Sequence, residues 1–137
     1  GNSFDWQDKE NFGDKAYRYQ QYEYLYDEMA DAYAAADLVV GRAGLSTLTE
    51  LSYFKKASVI IPIPGHQQVE NANYFERKNS IIRLDQNKTS ADDFVLLIQD
   101  LFENKNSLER LGLNMGQMMD QSANEKFIDL INLTVKN

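Results

Sequence analysis

Short β-branched runs alternate with longer segments of helical period along most of this chain, and that alternation limits its possible folds more than any other feature. "LVVG" precedes "STLTELSYFKK", "SVIIPIP" precedes "QQVENANYFERK", and "SIIRL" precedes "SADDFVLLIQDLFEN". Strands that succeed one another only through helices must lie parallel, because a parallel pair needs a long crossover and the helix supplies it. The expected fold class is α/β, a Rossmann-like parallel sheet with flanking helices. At 137 residues the chain suits one domain with a core of its own.

The flanks are less regular. "DEMADAYAAAD" sets Met29, Ala32, Tyr33 and Ala36 at helical spacing, with Asp27 as its N-cap. Tyrosines alternate through residues 16–25 but change parity at Gln20 and Gln21, which predicts one bulged strand or two short ones. Residues 1–13 have no period and read as irregular, residues 14–103 hold the alternation, and residues 104–137 read as C-terminal helices. One helical face carries Leu108, Leu111, Met115 and Met118, another Phe127, Leu130, Ile131 and Thr134. The methionines are read as packing against the sheet rather than as a binding stripe. A doubly wound domain opens with a strand and a glycine-rich turn, and this chain starts with neither. It is therefore expected to be truncated at its N-terminal edge.

Charge and residue usage exclude several functions. Lys and Arg number 14 against 21 Asp and Glu, a net charge of -7, which argues against nucleic acid or an anionic membrane surface as the main partner. A phosphate-bearing ligand would need a local site. With no cysteine and a single histidine there is no disulfide framework, thiolate metal site or histidine cluster, and no metal is expected. A cytoplasmic setting fits the lack of cysteine. No apolar run approaches the roughly 20 residues that span a bilayer.

Open parallel sheets bind ligands where strand ends lead into helix starts, and two such places carry unusual residues. After the first strand comes "GRAGLSTLTEL", residues 41–51. Gly41 and Gly44 let backbone approach a ligand closely, and the free amides of Leu45, Ser46 and Thr47 form an anion site suited to phosphate. Glu50 lies further along and can accept from two hydroxyls of a polyol such as a ribose. The plainer alternative makes Ser46 a cap, Thr49 and Glu50 a solvated face, and Arg42 the partner of a nearby acid. In the second place, "IPIPGHQQVENANYF", Pro62, Pro64 and Gly65 stop a strand and amides open the helix. Gln68 and Asn71 share a face, and amides suit hydrogen bonds to sugar hydroxyls better than proton transfer. His66 reads as an exposed loop histidine, with general base as its less favoured role.

Taken in order, "LYDEMADAYAAADLVVGRAGLSTLTEL" and "SVIIPIPGHQQVENA" resemble the C-terminal, nucleotide-binding half of glycosyltransferase family 28. The resemblance runs over residues 24–75 and rests on the order and spacing of its motifs. It implies the C-terminal half of a GT-B fold that binds a uridine diphosphate sugar, UDP-N-acetylglucosamine, as substrate, with no cofactor. Glu50 would hold the ribose hydroxyls, and the amides of Leu45, Ser46 and Thr47, with the Thr47 hydroxyl, the diphosphate; Arg42 and Gly44 belong to the same turn. Gln67 and Gln68 would bind hydroxyls of the N-acetylglucosamine ring, with Asn71 supporting their loop. Leu25 and Tyr26 stand where the family's aromatic-Ile pair meets the uracil, giving a main-chain contact at Tyr26.

The implied reaction is inverting transfer of N-acetylglucosamine to a lipid-linked peptidoglycan precursor on the cytoplasmic membrane face, without an Asp-x-Asp metal motif, which the sequence lacks. The chain departs from the family pattern in several places. Leu25 replaces a phenylalanine, "KKAS" replaces a glycine-containing turn, and Asn79-Ser80 replaces Ala-Gly. The Gly-Ser-x-Gly-Ala phosphate loop and the N-terminal acceptor domain, with the catalytic base, are expected to lie outside this chain, so no catalytic residue is assigned within it. Acceptor and membrane contact would come through those missing parts. Two further readings stay open: the donor-binding subunit of a split transferase with a membrane partner, and a nonenzymatic flavodoxin-like interaction domain.

Overall fold

The computed structural model describes residues 18–119. Three short strands, β1 (Val39–Gly41), β2 (Ser58–Ile60) and β3 (Ile82–Arg83), form a parallel sheet in the order β1-β2-β3. Val39 pairs with Ser58 and Gly41 with Ile60 on one side of β2, and Val59 with Ile82 on the other. Helix α1 (Met29–Ala35) precedes the sheet, α2 (Leu45–Tyr53) and α3 (Gln67–Arg77) cross over between strands, and α4 (Ala91–Glu103) and α5 (Lys105–Gly116) follow. The α/β class read from the alternation is the observed one.

The central strand is buried at all three positions, as its unbroken apolar run demands in a sheet covered by helices. Leu48, Leu51, Ile60 and Met115 are fully buried and pack with Tyr33, Ala72, Phe75 and Ile81 into one core. Met115 thus lies inside the domain, and Met118 packs against the same cluster. α5 seats closely on the turn after α2, since a Cβ on Gly112 would lie 2.5 Å from the Lys55 carbonyl oxygen. Only a hydrogen fits there.

Both crossover helices end in the same way. Lys55 and Asn79 adopt positive φ, each 52°. After α2, Lys55 N donates to Ser52 O and Lys56 N to Leu51 O. After α3, Asn79 N donates to Glu76 O and Ser80 N to Phe75 O. These paired bonds satisfy carbonyls that the helix ends leave open.

Three local expectations are corrected. Residues 18–25 contain no strand; Tyr22 and Tyr24 are exposed, at 60% and 71%, Tyr19 is half-buried, and no neighbouring strand pairs with them among the described residues. Alternation becomes a strand only where a partner takes up its hydrogen bonds. The N-cap of α1 is Glu28 rather than Asp27, and no side chain caps it. β2 ends at Ile60, so the "IPIP" segment is loop with Pro62 buried. The expectations for residues 1–13 and for the Phe127–Thr134 face lie outside the described residues.

Candidate functional site

The carboxyl ends of β1 and β2 are tied into one surface by side chains from their own loops. Ile61 N donates to Gly41 O at 2.9 Å and so continues the ladder past the last paired residues. Arg42 Nη1 donates to Ile61 O at 2.9 Å and to Gln86 Oε1 at 2.7 Å, joining the ends of all three strands. The plainer alternative, an acid paired with Arg42, is not what forms among the described residues, where a carbonyl and an amide oxygen accept from it. Asn71 Nδ2 donates to Ala43 O at 3.1 Å, so α3 fixes the turn that leads into α2. Gln68 Oε1 accepts from Ile63 N at 3.2 Å and closes the loop before α3, while Gln67 stands exposed beside it.

The start of α2 is open. Its N-cap is Gly44, in extended conformation, with no side-chain cap and no acid in the first turn. The first helical bond runs from Leu48 N to Gly44 O, which leaves the amides of Leu45, Ser46 and Thr47 without helical acceptors. Ser46 therefore follows the cap and is not the cap itself, and Thr49 turns its hydroxyl back onto Leu45 O. Thr47 sits over the turn: a Cβ on Gly44 would lie 3.6 Å from Thr47 Oγ1, and one on Gly41 3.9 Å from Thr47 Cγ2. Neither glycine has a positive φ, so their value here is empty space rather than backbone freedom.

α3 likewise starts without a side-chain cap, at His66, whose side chain is exposed. By contrast α4 is closed by a capping box of Ser90 and Asp93, and α5 by the Asn104 side chain. The two helices that begin at the carboxyl ends of β1 and β2 thus start without a side-chain cap, whereas the two that follow β3 are capped. An open helix start presents N–H groups and the positive end of the helix dipole, which favour an anion.

Glu50 lies on α2 beyond this start and is half-buried. Its Oε2 accepts from the Tyr33 hydroxyl at 2.9 Å, across from α1. Tyr33 is 8% exposed and its ring stacks on Phe54 at 5.2 Å. Burial, then the hydrogen bond to Glu50 and that carboxylate's charge, push the Tyr33 phenol from 10.0 up to about 12. Tyr26 is exposed and stacks on Tyr24 at 5.9 Å, and its carbonyl accepts from Met29 N. Among the described residues neither Leu25 nor Tyr26 hydrogen-bonds to the α2 start. Sequence reasoning missed Tyr33 and Gln86: the first had a signal, a lone aromatic in an alanine-rich helix, while the second sits in a polar turn with none.

A cavity of about 630 Å³ lies elsewhere, at the amino ends of β1 and β2, with Asp37, Lys55, Phe102, Lys105 and Leu113 in its lining. Lys56, on the same wall, donates to the carbonyls of Ala34 and Ala36 at the end of α1. That cavity is on the opposite side from the open helix starts.

A parallel sheet whose carboxyl-end loops open onto uncapped helix starts defines a Rossmann-like α/β domain of the sort that makes up half of a GT-B glycosyltransferase. The chain belongs to glycosyltransferase family 28, matching its C-terminal domain over residues 1–133. The match extends well past the residues 24–75 that carry the motifs. Among relatives, the Clostridium perfringens UDP-N-acetylglucosamine--N-acetylmuramyl-(pentapeptide) pyrophosphoryl-undecaprenol N-acetylglucosamine transferase is 35% identical over 91 residues, covering 64% of this chain and 26% of that protein. A Bacillus cereus transferase of the same description is 31% identical over 122 residues, covering 86% of this chain and 34% of its own. The crystal structure of Acinetobacter baumannii MurG superposes with a TM-score of 0.67 at 28% identity, over 79% of this chain and 31% of that one. The chain spans 26% to 34% of the length of these proteins. Among the described residues no helix is long and apolar enough to cross a membrane.

Proposed function

We propose that this chain binds the donor, UDP-N-acetylglucosamine, for an inverting transferase that places N-acetylglucosamine on a lipid-linked peptidoglycan precursor at the cytoplasmic face of the membrane. The open start of α2 with Glu50 behind it carries the reading. Amides of Leu45, Ser46 and Thr47 would take the diphosphate, Glu50 the ribose hydroxyls, and Gln67 and Gln68 the sugar ring; the N-acetylglucosamine transferase activity for which the relatives are named supports that donor class.

The chemistry asked of these residues is binding and charge stabilisation. As the bond from the sugar to the diphosphate breaks, negative charge grows on the leaving oxygens. Amides already oriented by the helix meet that charge with no reorganisation at the moment of reaction. Arg42 and Asn71 contribute by holding the turn that aims those amides. The base that activates the acceptor, and the acceptor itself, belong to parts of the enzyme beyond this domain.

The test is titration of UDP into the purified chain, followed by amide chemical shifts. Perturbations should centre on Leu45, Ser46, Thr47 and Glu50 and fade toward the Lys55 cavity. A flat response at millimolar UDP, or shifts confined to the far cavity, would overturn the donor reading.

A further inference from the structure

We infer that Tyr33 is a positioning residue, which pins one oxygen of the Glu50 carboxylate so that the other is presented to the hydroxyls of a ribose. The inference rests on the donor reading above and adds to it a residue that no motif marked. Its basis is the bond between α1 and α2, which joins side chains 17 residues apart at 2.9 Å.

A glutamate on a helix surface samples several rotamers, and a ligand that needs one of them must freeze the rest. Here that ordering exists before any ligand arrives. Tyr33 is itself held in place by packing, being 8% exposed, part of the main core and stacked on Phe54 with 21° between the rings. Its hydroxyl has one donor proton, and Glu50 Oε2 receives it. Among the described residues the Glu50 carboxylate has no other hydrogen-bond partner, so Oε1 keeps both lone pairs for a ligand. The phenol's raised pKa keeps that proton in place throughout the physiological range.

The arrangement has a recognisable division of labour. A phenol can donate to a carboxylate without neutralising it, whereas a lysine or arginine in the same place would compete with the ligand for its charge. A carboxylate with one oxygen tied and one free suits a neutral polyol, which offers donors and brings no countercharge. The ligand class that fits is therefore a vicinal diol, here the 2′ and 3′ hydroxyls of a nucleoside diphosphate.

The experiment compares UDP with 2′,3′-dideoxy-UDP on the wild-type chain, Tyr33→Phe and Glu50→Gln, with affinities read from shift titrations. The ratio of the two affinities isolates the ribose hydroxyls, so a variant that merely loosens the domain weakens both ligands and leaves the ratio alone. Tyr33→Phe keeps the ring on Phe54 and should cut the ratio by about three- to tenfold, the size expected when one fixed hydrogen bond is lost. Glu50→Gln should bring the ratio close to one. If Glu50→Gln leaves it unchanged, the ribose assignment itself fails. If Glu50→Gln collapses the ratio while Tyr33→Phe does not move it, the assignment stands and the positioning role of Tyr33 is wrong.

Discussion

At the scale of single residues, the arrangement around Glu50 depends on a tyrosine that sequence pattern assigns to a helix face and the fold turns into a partner. Its titration gives a direct check. The Tyr33 phenol is raised from 10.0 to about 12, so between those values the unfolded chain has released this proton and the folded chain still holds it. The native state then binds more protons, and stability falls as pH climbs through that interval; below pH 10.0 the contribution is complete. Phenolate absorbance of the wild type minus that of Tyr33→Phe should rise near 12, and a difference curve centred near 10.0 would show that neither the burial of this phenol nor its bond to Glu50 persists in solution. A supporting role for Asn71, on the loop of Gln67 and Gln68, was implied only by the family resemblance. Its partner, the Ala43 carbonyl, was not legible, since 28 residues separate them.

Among the elements, the helix ends decide how the strands are spaced, and here the chain uses residues other than glycine where left-handed backbone is required. Lys55 and Asn79 both hold φ at 52°. An L side chain there costs about 1–2 kcal/mol, least for asparagine, whose short polar group tolerates the conformation. The departures from the family pattern at "KKAS" and Asn79-Ser80 therefore leave the paired cap bonds intact. Asn79→Gly should be neutral or raise stability by a few tenths of a kcal/mol, whereas Asn79→Val should lower it by about 1–2 kcal/mol. Gly112→Ala should cost about 1–3 kcal/mol, since the added carbon meets the Lys55 carbonyl and α5 must shift. Urea denaturation of the three variants measures each, and an unchanged midpoint for Gly112→Ala would contradict the close seating of α5. Helix and strand order was readable because period survives in sequence. The tyrosine-rich stretch misled because period alone carries no information about whether a neighbouring strand exists.

At the scale of the molecule, the uncapped starts of α2 and α3 lie on one side of the sheet and the cavity beside Lys55 on the other. A nucleotide bound at the first side stabilises the folded chain by mass action. UDP at ten times its Kd adds about 1.4 kcal/mol, a rise in Tm of about 4 °C for a chain of this size. Glu50→Gln, compared at the same UDP concentration and with each protein read against its own ligand-free Tm, should lose most of that rise. Equal rises in both proteins would place the bound nucleotide away from Glu50.

The amino-acid sequence alone determined the parallel α/β order, the carboxyl ends of β1 and β2 as the place to look, and the family, because hydrophobic period and motif spacing are local properties written along the chain. Tertiary structure decided the rest. Only folding brings Tyr33 to Glu50, Arg42 to Gln86 and Asn71 to the turn before α2, since each of those bonds joins separate elements and depends on how helices pack over the sheet.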